Sequence, residues 1–320
     1  MNRHCQTQTM RDVLIERIYN LMLKNEKIIF LSADFGAPAL DKIRREFKDR
    51  FINVGIAEQN LINLSAGLSL EGFIVYAYGI APFLTMRAYE QIRINLSMLS
   101  QLHTINVNLI GVGAGLSYDV SGPTHHCLED IIIMRALPNI IIFSPSDWVL
   151  MKNFVDFTVN VNKPKYLRLD GKALPRIYNE KDNLDLSNGY FELLKGEKIC
   201  LVSTGYMTGV GLQVARKLLK YKIKVGLVDI FLLSQLNESS LLNILKMYNV
   251  IFTLEEGFIN KGGLDSVVSN LLNNYNLHIR LKKIGFDEKY IFCGGDRNYL
   301  HKLSGLDEES IIHIIRADRR

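Results

Sequence analysis

Short apolar runs alternate with stretches of helical periodicity along almost the whole chain, and few folds accept that alternation. Strand-like runs lie at 28–31, 73–78, 105–112, 140–143 and 166–169, and again at 199–203, 225–230, 250–254 and 279–284. Helical spacing is read near 12–24, 57–70, 83–102, 127–136 and 146–158, then near 208–220, 238–247, 264–274 and 307–316. In the first helix Leu14, Ile18, Leu21 and Met22 recur at helix spacing, and Asp12 stands near the start as a cap. Strands that are apolar throughout, with helices between them, describe a parallel sheet covered on both faces. The fold class is therefore α/β, with two domains, each a mostly parallel sheet covered by helices. The periodicity lapses between about 171 and 195, where polar text such as Asn179-Glu180-Lys181-Asp182-Asn183 intervenes. This places the domains at 1–175 and 190–320, with a linker at 176–189.

A chain of 320 residues can bury two such cores, and 48% hydrophobic with 22% charged residues is the balance of an ordinary globular protein. The formal charge of +5 suits small anionic substrates and is too weak to argue for nucleic acid. The basic run Lys42, Arg44, Arg45, Lys48 and Arg50 spans one helix and its flank, which reads more simply as a solvated face than as a binding module. Cys5, Cys127, Cys200 and Cys293 are scattered without metal-ligand spacing, so reduced thiols are expected and a zinc site or disulfide framework is not. No run is long and apolar enough to span a bilayer and the first residues lack a signal-peptide core, so a cytoplasmic protein without a membrane partner is expected.

Three segments carry polar residues at places where strands pass into helices. In Asn53-Val54-Gly55-Ile56-Ala57-Glu58-Gln59-Asn60 a strand end turns at a glycine and enters a helix with a carboxylate in its first turn. By itself that is what the helix dipole favours anywhere. The glycines of 111–116 more often mark tight backbone packing than a phosphate cradle. Gly122-Pro123-Thr124-His125-His126 puts two histidines on an exposed turn. Adjacent histidines do not readily chelate one metal on a helix, so both are read as substrate contacts. Glu255 and Glu256 read as a solvated or ion-paired turn.

The 53–60 segment resembles the one with which transketolases and deoxyxylulose-phosphate synthases place their cofactor-activating glutamate. Gly122-Pro123-Thr124-His125 is similar to a loop of those families, Arg87-Ala88-Tyr89-Glu90-Gln91 to a third segment, and Thr253–Gly257 with Gly262-Gly263 to their C-terminal domain. The resemblance covers essentially the whole chain and only the pyrimidine-binding and C-terminal domains of the family. It implies thiamine diphosphate as cofactor. The Gly-Asp-Gly motif that binds the diphosphate through Mg2+ does not occur here, so no metal ligand is expected in this chain.

The resemblance therefore implies the C-terminal subunit of a split transketolase. An N-terminal, diphosphate-binding transketolase subunit would supply the rest, in an α2β2 assembly that moves a two-carbon ketol unit from a ketose to an aldose. It implies that Glu58 hydrogen-bonds the aminopyrimidine ring nitrogen, in a largely apolar pocket where a carboxyl keeps its proton more readily. Phe83, Tyr78 and Tyr89 are candidates for stacking on the pyrimidine, with Phe83 first. His125, and with it His126, would contact the sugar or sugar phosphate, His125 also serving catalysis. Arg87 stands where the synthases have a substrate-phosphate arginine, and Ser121 where both families commonly have an aspartate. The competing reading is the beta chain of a pyruvate-type 2-oxoacid dehydrogenase, which shares the layout; a deoxyxylulose-phosphate synthase ranks third, since that family carries everything on one chain.

Overall fold

Every residue of β1 (Ile28–Ser32), β4 (Val107–Val112) and β6 (Lys165–Leu169) is buried, the pattern of strands with a layer on each face and no solvent side. The computed structural model describes residues 7–181 and 184–318. Cys5 and the linker residues Asp182 and Asn183 lie outside the described residues. The chain forms two compact units, 1–114 with 133–184, and 115–132 with 185–320. Helix and strand alternate in both, as the apolar periodicity requires.

The first unit is a six-stranded sheet in the order β2-β1-β3-β4-β6-β5, with β2 (Phe51–Asn53), β3 (Ile74–Ile80) and β5 (Ile141–Phe143) completing it. Every pairing in it is parallel. Its helices are α1 (Met10–Met22), α2 (Leu40–Glu46), α3 (Glu58–Leu70), α4 (Tyr89–Gln91) and α6 (Trp148–Asn160); α5 (Asp130–Arg135) ends in it. The cap of α1 is Thr9, not Asp12: the Thr9 hydroxyl accepts from Asp12 N–H at 3.1 Å, which puts Asp12 in the first turn. The helix read over 83–102 is broken, with the wider π winding at Phe83–Arg87 and Ile92–Met98 on either side of α4. The helix read over 127–136 is confined to α5, because the residues before it form a loop. Asp147 caps α6 through Leu150 N–H at 2.8 Å, and its other oxygen accepts from Ile177 and Tyr178 N–H at 2.7 and 2.9 Å.

The second unit is a five-stranded sheet in the order β11-β10-β8-β9-β7. It comprises β7 (Tyr190–Leu194), β8 (Ile199–Ser203), β9 (Val225–Ile230), β10 (Val250–Phe258) and β11 (Arg280–Phe286). Only β7 runs antiparallel, along the edge beside β9. An edge strand with one covered face reads half polar, which is why β7 is hidden in the polar stretch around 190. Helices α7 (Tyr206–Leu218), α8 (Glu238–Leu245), α9 (Leu264–Asn274), α10 (Arg297–Leu303) and α11 (Glu308–Ala317) belong to this unit. Leu116 and Leu128, from the loop that follows β4, lie in its core with Leu201, Phe252 and Leu254. Cys127 and Cys200 are buried thiols and Cys293 an exposed one. No helix among the described residues is long and apolar enough to cross a membrane.

One buried cation tests the packing of the first sheet. Lys165 begins β6 fully enclosed, donating to Asn106 Oδ1 at 2.9 Å and Lys163 O at 2.8 Å. Burial pushes its ammonium down from 10.5 to about 7. Between those values the unfolded chain holds a proton that the folded chain has lost, so stability should rise with pH from about 7 toward 10. Urea unfolding across that range should show the rise, at most about 1.4 kcal/mol per pH unit, and Lys165→Met should flatten it. An equal slope in both proteins would mean the lysine keeps its ordinary proton affinity.

Candidate active site

Two groups of residues carry the chemistry, one in each unit. In the first unit, β2 ends at Asn53, whose Oδ1 accepts from Gly55 N–H and Asp34 N–H at 3.0 Å each. Asn53 Nδ2 donates to Asp34 Oδ1 at 2.9 Å. The chain reverses at Gly55, where φ is +77°, a value that glycine adopts without strain. It then enters α3 with Glu58 as the first helical residue, only 3% exposed. A carboxylate in that position faces the unpaired N–H groups and the positive end of the helix dipole.

Arg87 Nη1 donates to Glu58 Oε2 at 2.7 Å. Its guanidinium carbon lies 5.0 Å from the centre of the Phe83 ring. The π turn at Phe83–Arg87 places both side chains, since residues four apart on such a turn stand on neighbouring faces. The surroundings of Glu58 are therefore not the largely apolar pocket expected, because a cation stands against it. Arg87 is 48% exposed while the Glu58 side chain is 4% exposed, so the pair has one wet and one dry member.

The other aromatic candidates point elsewhere. Tyr78 is fully buried inside β3 and stacks on Phe35 with ring centres 4.9 Å apart, so the sequence-based stacking role is corrected to a core one. Tyr89 is half-buried and its hydroxyl donates to Ile133 O at 2.9 Å, and burial raises its pKa above the ordinary value. Of the three rings, Phe83 is the one that shares a neighbour with Glu58.

In the second unit the Gly122–His126 turn closes on itself, with His125 and His126 N–H donating to Gly122 O at 3.0 and 3.2 Å. The two histidines are not equivalent, although the sequence reads both as exposed. His126 is 4% exposed and its Nε2 lies 3.1 Å from Asp119 O, which can only accept, so Nε2 carries the proton. His125 is half-buried, with Nδ1 3.1 Å from the Thr124 hydroxyl. Ser121 is exposed beside the turn.

Glu255 and Glu256 are neither solvated nor in a turn. Both are buried in β10, and successive strand residues point to opposite faces. Glu255 accepts from Leu264 and Asp265 N–H at 2.9 Å each, so it caps α9 from a distance. Glu256 meets Arg297 Nε at 2.8 Å, Arg297 Nη2, His301 Nε2 and Leu116 N–H at 3.1 Å. Arg297 lowers the Glu256 carboxyl far below the usual carboxylate range, against the opposing effect of burial. The sequence reading missed Glu256, Arg297, His301 and Asp119. Their one local signal is Asp296 ahead of Arg297 and His301 at i, i+4 spacing, the mark of a capped helix with two cationic side chains on one face. Among the described residues no group of His, Cys, Asp and Glu is arranged to hold a metal ion.

Residues 6–176 match the family description "Transketolase, pyrimidine binding domain" and residues 189–311 match "Transketolase, C-terminal domain". One of the two subunits of the apulose-4-phosphate transketolase of Actinobacillus succinogenes is 33% identical over 305 residues, covering 95% of this chain and 96% of that protein. The 1-deoxy-D-xylulose-5-phosphate synthase of Caldanaerobacter subterraneus is 31% identical, and the match covers 95% of this chain but 48% of that protein. A solved structure described as "Split gene transketolase, inactive beta4 tetramer" superposes with a TM-score of 0.86 at 27% identity, covering 97% of each chain.

The turn that delivers Glu58 depends on one exposed side chain. Asn53→Ala removes its three hydrogen bonds, and urea unfolding should show a loss of about 1 kcal/mol. An unchanged midpoint would mean that Gly55 and the helix start hold the turn without it.

Proposed function

The chain belongs to the transketolase family of transferases, and we propose that it is the subunit of a split transketolase that activates thiamine diphosphate for ketol transfer. The observation that carries this reading is coverage. The chain matches nearly the full length of a separately encoded transketolase subunit and about half of a synthase of the same family. The missing half would be a diphosphate-binding partner, which would also hold Mg2+. Two copies of each chain, working in the cytoplasm, make the assembly we favour. The 2-oxoacid dehydrogenase alternative is weaker, because the similarities to the Actinobacillus transketolase subunit and the Caldanaerobacter synthase each run over 95% of the chain.

Glu58 suits the aminopyrimidine half of the cofactor, being a buried carboxyl at a helix start with an aromatic ring close by. When bound, thiamine diphosphate supplies a stabilised carbanion equivalent at its thiazolium ring. Glu58 would hold a proton between its carboxyl and the pyrimidine ring nitrogen, using Oε1 while Arg87 stays on Oε2. Phe83 would offer its face to the pyrimidine and help to exclude water. Arg87, half in solvent, would orient the carboxylate and neutralise it in the absence of cofactor. His125 would donate or accept hydrogen bonds at the hydroxyls of a sugar or sugar phosphate, with exposed Ser121 beside it; His126 would support the turn. A fully enclosed Tyr78 takes no part, and Tyr89 contributes through the wall behind Phe83.

Calorimetric titration of thiamine diphosphate and Mg2+ into this chain, its partner and their complex tests the division of labour. Tight, Mg2+-dependent binding is expected in the complex alone, and tight binding by the isolated chain would overturn the split-site reading. In the complex, Glu58→Ala should lower ketol transfer by ~10²-fold or more. Near-normal turnover by that variant would remove Glu58 from the mechanism.

A further inference from the structure

The loop that bears His125 is fastened to its own unit by buried charge. Inside β10, Glu256 Oε1 accepts from Arg297 Nε at 2.8 Å and pairs with His301 Nε2, while Oε2 accepts from Arg297 Nη2. Arg297 and His301 stand one helical turn apart on α10, so a single face supplies both groups. The Tyr206 ring covers the guanidinium, its centre 3.4 Å from the central carbon.

On the loop side, Leu116 N–H donates to Glu256 Oε2 at 3.1 Å and Arg297 N–H donates to Asp119 Oδ2 at 2.6 Å. Asp119 O then accepts from His126 Nε2 at 3.1 Å. The N–H groups of His125 and His126 close on Gly122 O. An unbroken series of bonds thus runs from β10 to the turn that presents His125. Gly115 shows how tightly the backbone is drawn in. A Cβ there would fall 2.0 Å from Glu256 Oε2, and φ is +57°.

Apolar packing of Leu116 and Leu128 would suffice to bury the loop. It would not set the angle of the turn, because hydrophobic contact is non-directional. Charge-assisted hydrogen bonds are directional, and a buried ion pair is a poor choice for stability alone. We propose that Glu256 and Arg297 are positioning residues for the substrate loop, holding His125 where it meets substrate. The inference rests on reading His125 as a substrate contact, and it makes the second unit part of the reaction apparatus.

The test is kinetic and structural. In the assembled enzyme, Glu256→Gln should raise KM for the ketose donor about tenfold or more, with a much smaller change in kcat. Asp119→Asn, a milder change on the loop side, should move KM in the same direction. Thiamine diphosphate affinity should stay near that of the unaltered complex. In a His125→Ala background, Glu256→Gln should add no more than about a twofold further rise, because the residue it acts through is gone. Multiplied effects in the double variant would overturn the proposal. Amide hydrogen exchange gives a readout that does not need turnover: residues 117–126 should exchange faster in Glu256→Gln and Asp119→Asn, with 58–70 unchanged. Unchanged exchange over 117–126 in both would overturn the positioning role even with activity lost. A complex without ketol transfer from any ketose would count instead against the split-transketolase reading.

Discussion

A carboxylate enclosed in a strand must find donors or it opposes folding, and Glu256 meets that constraint with groups drawn from distant parts of the chain. Strand β10 supplies the charge, α10 the guanidinium and imidazole, and the loop after β4 a backbone N–H. None of these could be shifted alone without leaving a buried charge short of partners. The rest of the second unit is ordinary α/β packing, and the loop is held in it by this cluster together with Leu116 and Leu128. Tyr290, hydrogen-bonded to Glu129, adds a further tie on the outer side.

Glu58 is the contrasting case. It too is a buried carboxylate with an arginine partner, but the partner is half in solvent and comes from a π-wound turn. Such a pair can separate at modest cost, because the guanidinium can be rehydrated where it stands. The Glu256 pair cannot, since both members are enclosed. Burial on one side or on both therefore divides a carboxylate suited to exchange partners from one suited to hold a loop.

Motif order survives well at the sequence level. The strand–Gly–helix step at Asn53–Glu58 is legible because its turn, its glycine and its acidic helix start are local, and the structure reproduces each of them. The histidine pair is only half legible. Adjacent residues on a turn point in different directions, and which of His125 and His126 becomes buried depends on Asp119 and thus on a helix far along the chain. Tyr78 misleads for a related reason, since an aromatic at a strand end can face a site or a neighbouring Phe35 with the same local pattern.

Local pattern was enough to set the class of fold, the alternation of strand and helix, and the place of the glutamate at the head of α3. Those features follow from apolar periodicity and short-range turn chemistry, which act between near neighbours. It took the folded chain to bring Arg87 against Glu58, to assign the loop carrying His125 to the second unit, and to part Glu255 from Glu256 across one strand. These outcomes join residues 29, 41 and as many as 178 positions apart. Buried charges select their partners by distance in space, and local pattern holds no record of that distance.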